Sequence, residues 1–325
     1  MPATMKLLIT VDTEEDNWAS WSATDNPVEN IDRIIPLQEL FNRYGAKPTY
    51  LLSYPVASNP RCVEILKRIL EEDKCEIGMH CHPWNTPPVK ENEGVDEQDT
   101  MLCNIPSDLV YDKLSNLDDT IYKNFGVKAL TFRAGRWGFG PAVARALFRL
   151  GYRFDTSVTP YVNWEDYNGP DFSEFGPASF KFGAEGIAHQ SENGFMMEVP
   201  VTIGFFRPHI VNLQRCVKNL EKALGRRLKI AEILKRLRMK NTNWLCPELA
   251  GSRDMIILAN RMKKKNASFL NFTFHSVSLQ KGLSPFVKSK EDEFSFMEKI
   301  ECFLRFACDA GWQRMTLREF GKGKP

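Results

Sequence analysis

The sequence predicts an α/β fold in which parallel strands joined by crossover helices form an open sheet or a barrel. Three observations carry that reading. Short apolar runs alternate along the chain with segments of helical periodicity. Residues suited to acid–base or metal chemistry fall at the carboxyl ends of those runs, where parallel barrels and open α/β sheets place their sites. A chain of 325 residues with no low-complexity tract can bury one large core, which predicts a single domain over 1–325 with insertions.

Taken in order, "KLLITVD" (6–12) reads as the first strand because it is apolar throughout and ends in an acid. Ile31, Ile34, Leu37, Leu40 and Phe41 then recur near helical spacing, with Pro36 beginning or kinking the helix, and "PTYLLS" follows Gly45 as the next strand. "KCEIGMH", "ALTFRAG", "YRFDTSV", "FMMEVPVTIG" and "SFLNFTFH" supply further strands, and spacing predicts helices over 61–72, 107–124 and 141–150. Asp12, His80, Arg133, Asp155 and His275 each stand at or just past a strand end, which argues for one shared mouth.

Composition excludes several classes. The formal net charge is only +2 with 26% charged residues, so overall electrostatics imply no nucleic-acid partner. The amino terminus has one lysine before a short apolar run ending in acids, unlike a signal peptide and too short for a bilayer, so a cytoplasmic protein is expected. Eight scattered cysteines without a CxxC pair predict free thiols.

Two segments read as insertions. Residues 89–100 are polar and acidic, a solvated loop or a lid over the site. A helical insertion is expected at about 211–245, with Leu213, Val217, Leu220 and Leu224 on one stripe and a basic opposite face. That face over 213–240 is a solvated surface or a contact for an anionic partner, such as the phosphate of a nucleotide- or lipid-linked substrate or the inner face of a membrane.

The chain has five histidines, and two of them, His80 and His82, stand in "EIGMHCHPW". In extended backbone, positions i and i+2 face the same side, so both imidazoles can converge on one ion. Carboxylates for such an ion stand in "VDTEEDNW", where Asp12, Glu14, Glu15 and Asp16 follow the first strand. His189 and His209 belong to no such grouping.

The order of "TVDTEED", "EIGMHCHPW", "TFRAGRWG", "YRFDTSV" and "FTFHSVSLQKGLSP" resembles the polysaccharide deacetylase family, also called the NodB-homology or carbohydrate esterase 4 family, and in particular members of bacterial surface-glycan synthesis such as lipopolysaccharide or O-antigen. The resemblance runs from about residue 5 to residue 320. It implies a distorted (β/α)7-type barrel, one divalent metal and hydrolysis of N-acetyl groups from amino sugars. By position, it implies that Asp12 is the general base acting on metal-bound water, that Glu14 or Asp16 is the metal carboxylate, and that His80 and His82 are the other ligands. Arg133 corresponds to the arginine that orients the base, Asp155 to an aspartate that holds the acid histidine, and His275 to the general acid.

The sequence departs from the family pattern at three places. Thr13 stands where most members have a second adjacent aspartate, which favours Glu14. One residue instead of three separates the histidines. "AGRWG" replaces the usual proline-tyrosine-glycine, leaving the oxyanion donor at Trp137 or Gly138, and Trp84, Arg136 and Trp137 are candidates for sugar contact. Zinc suits nitrogen and oxygen donors, as do Co2+, Ni2+, Mn2+ and Fe2+. The expected activity is removal of an N-acetyl group from an acylamino sugar; the alternatives are a deformylase or cyclic amidase, or a sugar-binding protein with a degenerate site.

Overall fold

The computed structural model of the chain describes residues 4–16, 18, 20–89, 95–206 and 241–323. β1 (Lys6–Thr13) is buried along all but its first residue, as expected of a central strand covered on both faces. A 3-10 turn at Glu29–Arg33 leads into α1 (Ile34–Arg43). Pro36 sits in the first turn, where backbone N–H groups have no intrahelical partner to lose. Next come β2 (Thr49–Leu52), α2 (Tyr54–Ser58) and α3 (Pro60–Glu71), the last capped by the Asn59 side chain accepting from the amides of Arg61 and Cys62. β3 (Glu76–Cys81), α4 (Ser107–Phe125), β4 (Thr131–Ala134), α5 (Pro141–Leu150) and the two-residue β5 (Phe154–Asp155) complete the first half, with helix bounds within a residue or so of the periodicity.

The second half departs further from expectation. "FMMEVPVTIG" forms two strands, because Pro200 lacks the N–H that a central strand needs. β6 (Phe180–Phe182) pairs antiparallel with β7 (Met196–Glu198), and β8 (Ile203–Phe205) leaves the main sheet to pair with β9 (Thr242–Trp244). The expected helical insertion therefore ends short of 245, since 242–244 are strand. Its remainder, with the basic face over 213–240, lies outside the described residues, as do 90–94 of the acidic loop. α6 (Ser252–Lys264), β10 (Phe269–His275), α7 (Lys290–Asp309), β11 (Gln313–Arg314) and α8 (Leu317–Lys322) follow, the helices among them not anticipated above.

Seven parallel strands run in the order β10-β1-β2-β3-β4-β5-β7, with β6 at one edge and β11 beside the start of β1. This is the curled, distorted (β/α) barrel expected. β10 and β7 share no ladder. Irregular backbone closes the gap instead: the Thr202 amide donates to Asn271 O at 3.1 Å, Leu245 to Thr202 O at 2.9 Å, and Thr273 to Leu245 O at 3.1 Å.

Alternation then layers the interior, because every second residue of a strand points inward. Leu8, Phe154, Met197 and Phe269 pack with Leu317 and Phe320 of α8 into an apolar plug at the floor. Two residues along each strand, Thr10, Thr156 and Asn271 form a buried polar belt. Two further on stand Asp12 and Thr273, with His275 at the mouth. The outward residues Leu7, Ile9, Val11, Phe132, Ala134, Leu270, Phe272 and Phe274 meet the helices in the main apolar core. Among the described residues the cysteines are free, and no helix is long and apolar enough to cross a membrane.

Candidate metal centre

His80 is the penultimate residue of β3 and His82 lies just beyond it, so both rings face the mouth. The His80 Nδ1–H donates to the Arg133 carbonyl at 3.0 Å, which leaves the Nε2 lone pair free. The His82 Nδ1–H donates to Glu15 Oε1 at 2.8 Å, and Asn85 Nδ2 donates to the same oxygen at 2.6 Å. Both Nε2 atoms thus aim at one point, 3.0 Å apart, and Glu14 Oε2 stands 3.4 Å from the first and 3.3 Å from the second. The Glu14 backbone is itself fixed: its amide donates to Ser276 Oγ at 3.1 Å, and its carbonyl accepts from Asn30 Nδ2 at 2.8 Å.

The donor triangle fits a divalent ion. Bonds of about 2.0–2.2 Å at tetrahedral or octahedral angles place neighbouring donor atoms roughly 3.0–3.5 Å apart, the edges seen here. All three side chains are buried, so converging lone pairs without a cation would be costly. Electrostatics agree. Burial alone would raise the Glu14 carboxyl, but the facing imidazoles of His275, His80 and His82 hold it well below the usual carboxylate range. Burial would likewise lower His82, yet the Glu15 and Glu14 carboxylates push it up to about 10, the response of a site with excess negative charge.

Asp16, the alternative carboxylate, is engaged elsewhere. It accepts from the amides of Glu29 at 2.8 Å and Asn30 at 3.1 Å and from Asn30 Nδ2 at 2.6 Å, fastening the turn before α1. Glu15, offered by the sequence among the carboxylates for the ion, instead orients His82, and Asn85, which shares its oxygen, had no role in the sequence reading.

Gly135 makes room for the His82 ring. A Cβ there would lie 2.4 Å from His82 Cδ2 and 2.6 Å from the Cys81 carbonyl oxygen. Gly135→Ala is therefore expected to shift the ring and weaken metal binding by about 10- to 100-fold, the range for disturbing a ligand's support. Titration calorimetry with Zn2+ checks this.

Beside the triangle, Asp12 is buried with Oδ1 accepting from Arg133 Nη1 at 2.5 Å and Oδ2 3.6 Å from His275 Nε2. Arg133 is fully buried, and all five of its N–H donors are used: Nη1 also reaches Thr273 Oγ1, Nη2 reaches the hydroxyls of Thr10 and Thr156, and Nε reaches the Thr156 carbonyl. The Trp137 ring lies against this guanidinium at 5.2 Å.

The expected partner of His275 is corrected. Glu248, in the loop after β9, accepts from His275 Nδ1 at 2.9 Å, from the His275 amide at 3.1 Å and from Ser278 Oγ at 2.5 Å. Asp155 instead accepts from the amide and hydroxyl of Ser157 and makes no bond to His275. Burial would lower His275, but Glu248, Glu14 and Asp12 together raise it to about 10, so the imidazolium form persists at neutral pH. Glu248→Gln leaves the ring free to turn and removes the charge that favours its protonated form. A fall in kcat of about 10²-fold is expected, with KM little changed, in steady-state assays.

The three residues named for sugar contact divide. Trp84 is buried and stacks on His82 at 4.2 Å, so it packs the ligand instead of offering a face to solvent. Arg136 reaches Thr100 and Glu97 and lies over Trp21 at 4.9 Å, tying the 97–100 turn to the end of β4. Trp137 remains partly exposed. Arg136 and Trp137 have φ of 51° and 61°, a strained pair beside the site. His189 is exposed, and His209 lies outside the described residues.

No family model matches the chain, and no curated protein does. Among solved structures it is similar to a putative polysaccharide deacetylase from Mycobacterium smegmatis, at 13% identity and TM-score 0.56, over 99% of this chain and 90% of that one. It is also similar to the 4-alpha-glucanotransferase of Thermococcus litoralis, at 11% identity and TM-score 0.56, over 99% of this chain and 41% of that one. At these identities the likeness is one of fold.

Proposed function

We propose that this chain, which has the fold of polysaccharide deacetylases, is a metal-dependent hydrolase that removes an N-acetyl group from an amino sugar of a surface polysaccharide or its precursor. The observation that carries the reading is the Glu14–His80–His82 triangle set beside two separately supported proton-transfer groups, Asp12 on Arg133 and His275 on Glu248. Amide hydrolysis needs a nucleophile, a place for the oxyanion and a proton for a poor leaving group.

Glu14, His80 and His82 would hold the ion, which when bound supplies Lewis-acid chemistry and makes water nucleophilic near neutral pH. Asp12 then takes the proton of the attacking water on Oδ2, since Arg133 occupies Oδ1. His275 gives its Nε2 proton to the departing amine, while Glu248 keeps Nδ1 protonated and the ring aimed. The buried walls at Trp84 and Cys81 exclude bulk water from the ligand side.

Incubating the Zn2+-loaded protein with N-acetylated and N-formylated amino sugars, free and nucleotide- or lipid-linked, tests the reading. Acetate and formate are quantified separately. Acetate release supports the proposal, formate alone makes the protein a deformylase, and binding without release of either makes it a sugar-binding protein.

A further inference from the structure

Asp155 and Glu198 occupy register-paired positions on β5 and β7, and both are fully buried. Phe154 and Met197, their chain neighbours, face the apolar plug, so by strand alternation the two carboxyls face outward from the barrel. Two carboxyls side by side and out of water cannot both ionise cheaply, so one proton between the two is the low-cost state. Glu198 Oε2 is buried with no hydrogen-bond partner, the oxygen on which such a proton would sit.

The other oxygens hold backbone. Glu198 Oε1 accepts from the Val158 amide at 3.1 Å. Asp155 accepts from Ser157 Oγ at 2.7 Å and from the Ser157 amide at 3.3 Å, and Ser157 Oγ in turn accepts from the Ala134 amide at 2.9 Å. The residue between, Thr156, grips Arg133 through both its carbonyl and its hydroxyl. A chain of contacts therefore runs from the carboxyl pair through 156–158 to Arg133 and on to Asp12.

We infer that Asp155 and Glu198 hold one proton between them and act as a positioning pair, fastening from the outer face of the sheet the segment that aligns Arg133 and hence Asp12. Burial raises both carboxyls, and the neighbouring charge of Asp155 lifts Glu198 well above the ordinary range, which accords with one shared proton. Of the elements packed against the pair, β4 contributes Arg133, which favours ionisation. β6 contributes Lys181, in register with Met197, and α8 contributes Arg318, Glu319 and Lys322 on the plug side. Arg133 bears on both carboxyls.

The sign of the linkage follows. Acids whose folded pKa is raised stabilise the fold fully below their unfolded pKa, and that contribution is lost as pH rises through the folded value. Folding of the parent at neutral pH should therefore take up about one more proton than folding of Glu198→Gln, read from the pH dependence of denaturant stability. Equal uptake by the two proteins overturns the shared proton. This arm is independent of the reaction; the kinetic arm rests on the hydrolase reading above. Glu198→Leu is expected to lower kcat about tenfold or more with KM within about threefold, and Glu198→Gln, which still accepts from Val158 and can donate to Asp155, to restore most of the loss. Ser157→Ala breaks the same fastening from the Asp155 side and should repeat the kcat loss if the leucine variant fails to fold. Parent-like kcat in Glu198→Leu, or in Ser157→Ala where that variant is needed, overturns the positioning role.

Discussion

A chain carrying His80→Ala is expected to lose stoichiometric Zn2+ binding and to lower kcat/KM by about 10²–10⁴-fold, the several kcal/mol that a Lewis-acid ion contributes. The argument is geometric. His80 is one corner of a triangle with edges of 3.0, 3.3 and 3.4 Å, and removing it leaves two donors. The Arg133 carbonyl that orients its ring has no second imidazole to offer. Metal content by plasma emission after dialysis and hydrolysis rates measure the two effects together. His189→Ala, an exposed histidine far from the triangle in sequence, should change neither. Unchanged metal content in His80→Ala would remove the basis of the site.

Arg133→Leu is expected to cost about 3–5 kcal/mol of stability, because it strands a buried carboxylate. Asp12 loses the donor at 2.5 Å, and Thr156 O loses its Nε–H partner inside the polar belt, where water has little access. The melting temperature should fall by on the order of 10 °C. Arg133→Lys restores charge but only three donors without the planar fork, so it should recover part of the stability and little of the rate. Adding Asp12→Asn to Arg133→Leu should recover some stability, since the stranded charge disappears. Scanning calorimetry of the three variants reads these outcomes.

Much of the site was legible because strand periodicity carries it. Asp12, His80, Arg133 and His275 sit on strands whose alternation and ends are written in local sequence, and adjacent strands pair Asp12 with His275 and His80 with Arg133 in register. Glu248 was not legible: it lies in a loop with no periodicity, and only the return of β10 beside β1 brings His275 to it. Asp155 misled for the complementary reason. It does end a strand, but Phe154 points to the plug and Asp155 to the opposite face, and a single residue of phase reverses every side chain. Glu198, paired with Asp155, is turned outward by the same phase. The split of "FMMEVPVTIG" was signalled by Pro200 but masked by a continuous apolar run.

Where the seven-stranded sheet stops short of closing, the chain leaves β8 at Phe206 and re-enters β9 at Asn241, and the amide of the first donates to the carbonyl of the second at 2.9 Å. An excursion whose two ends already touch places no geometric demand on what lies between them, and chain entropy grows only slowly with its length. The join between β8 and β9 is accordingly held by the described strand ends themselves, independent of the length of chain that separates them in sequence.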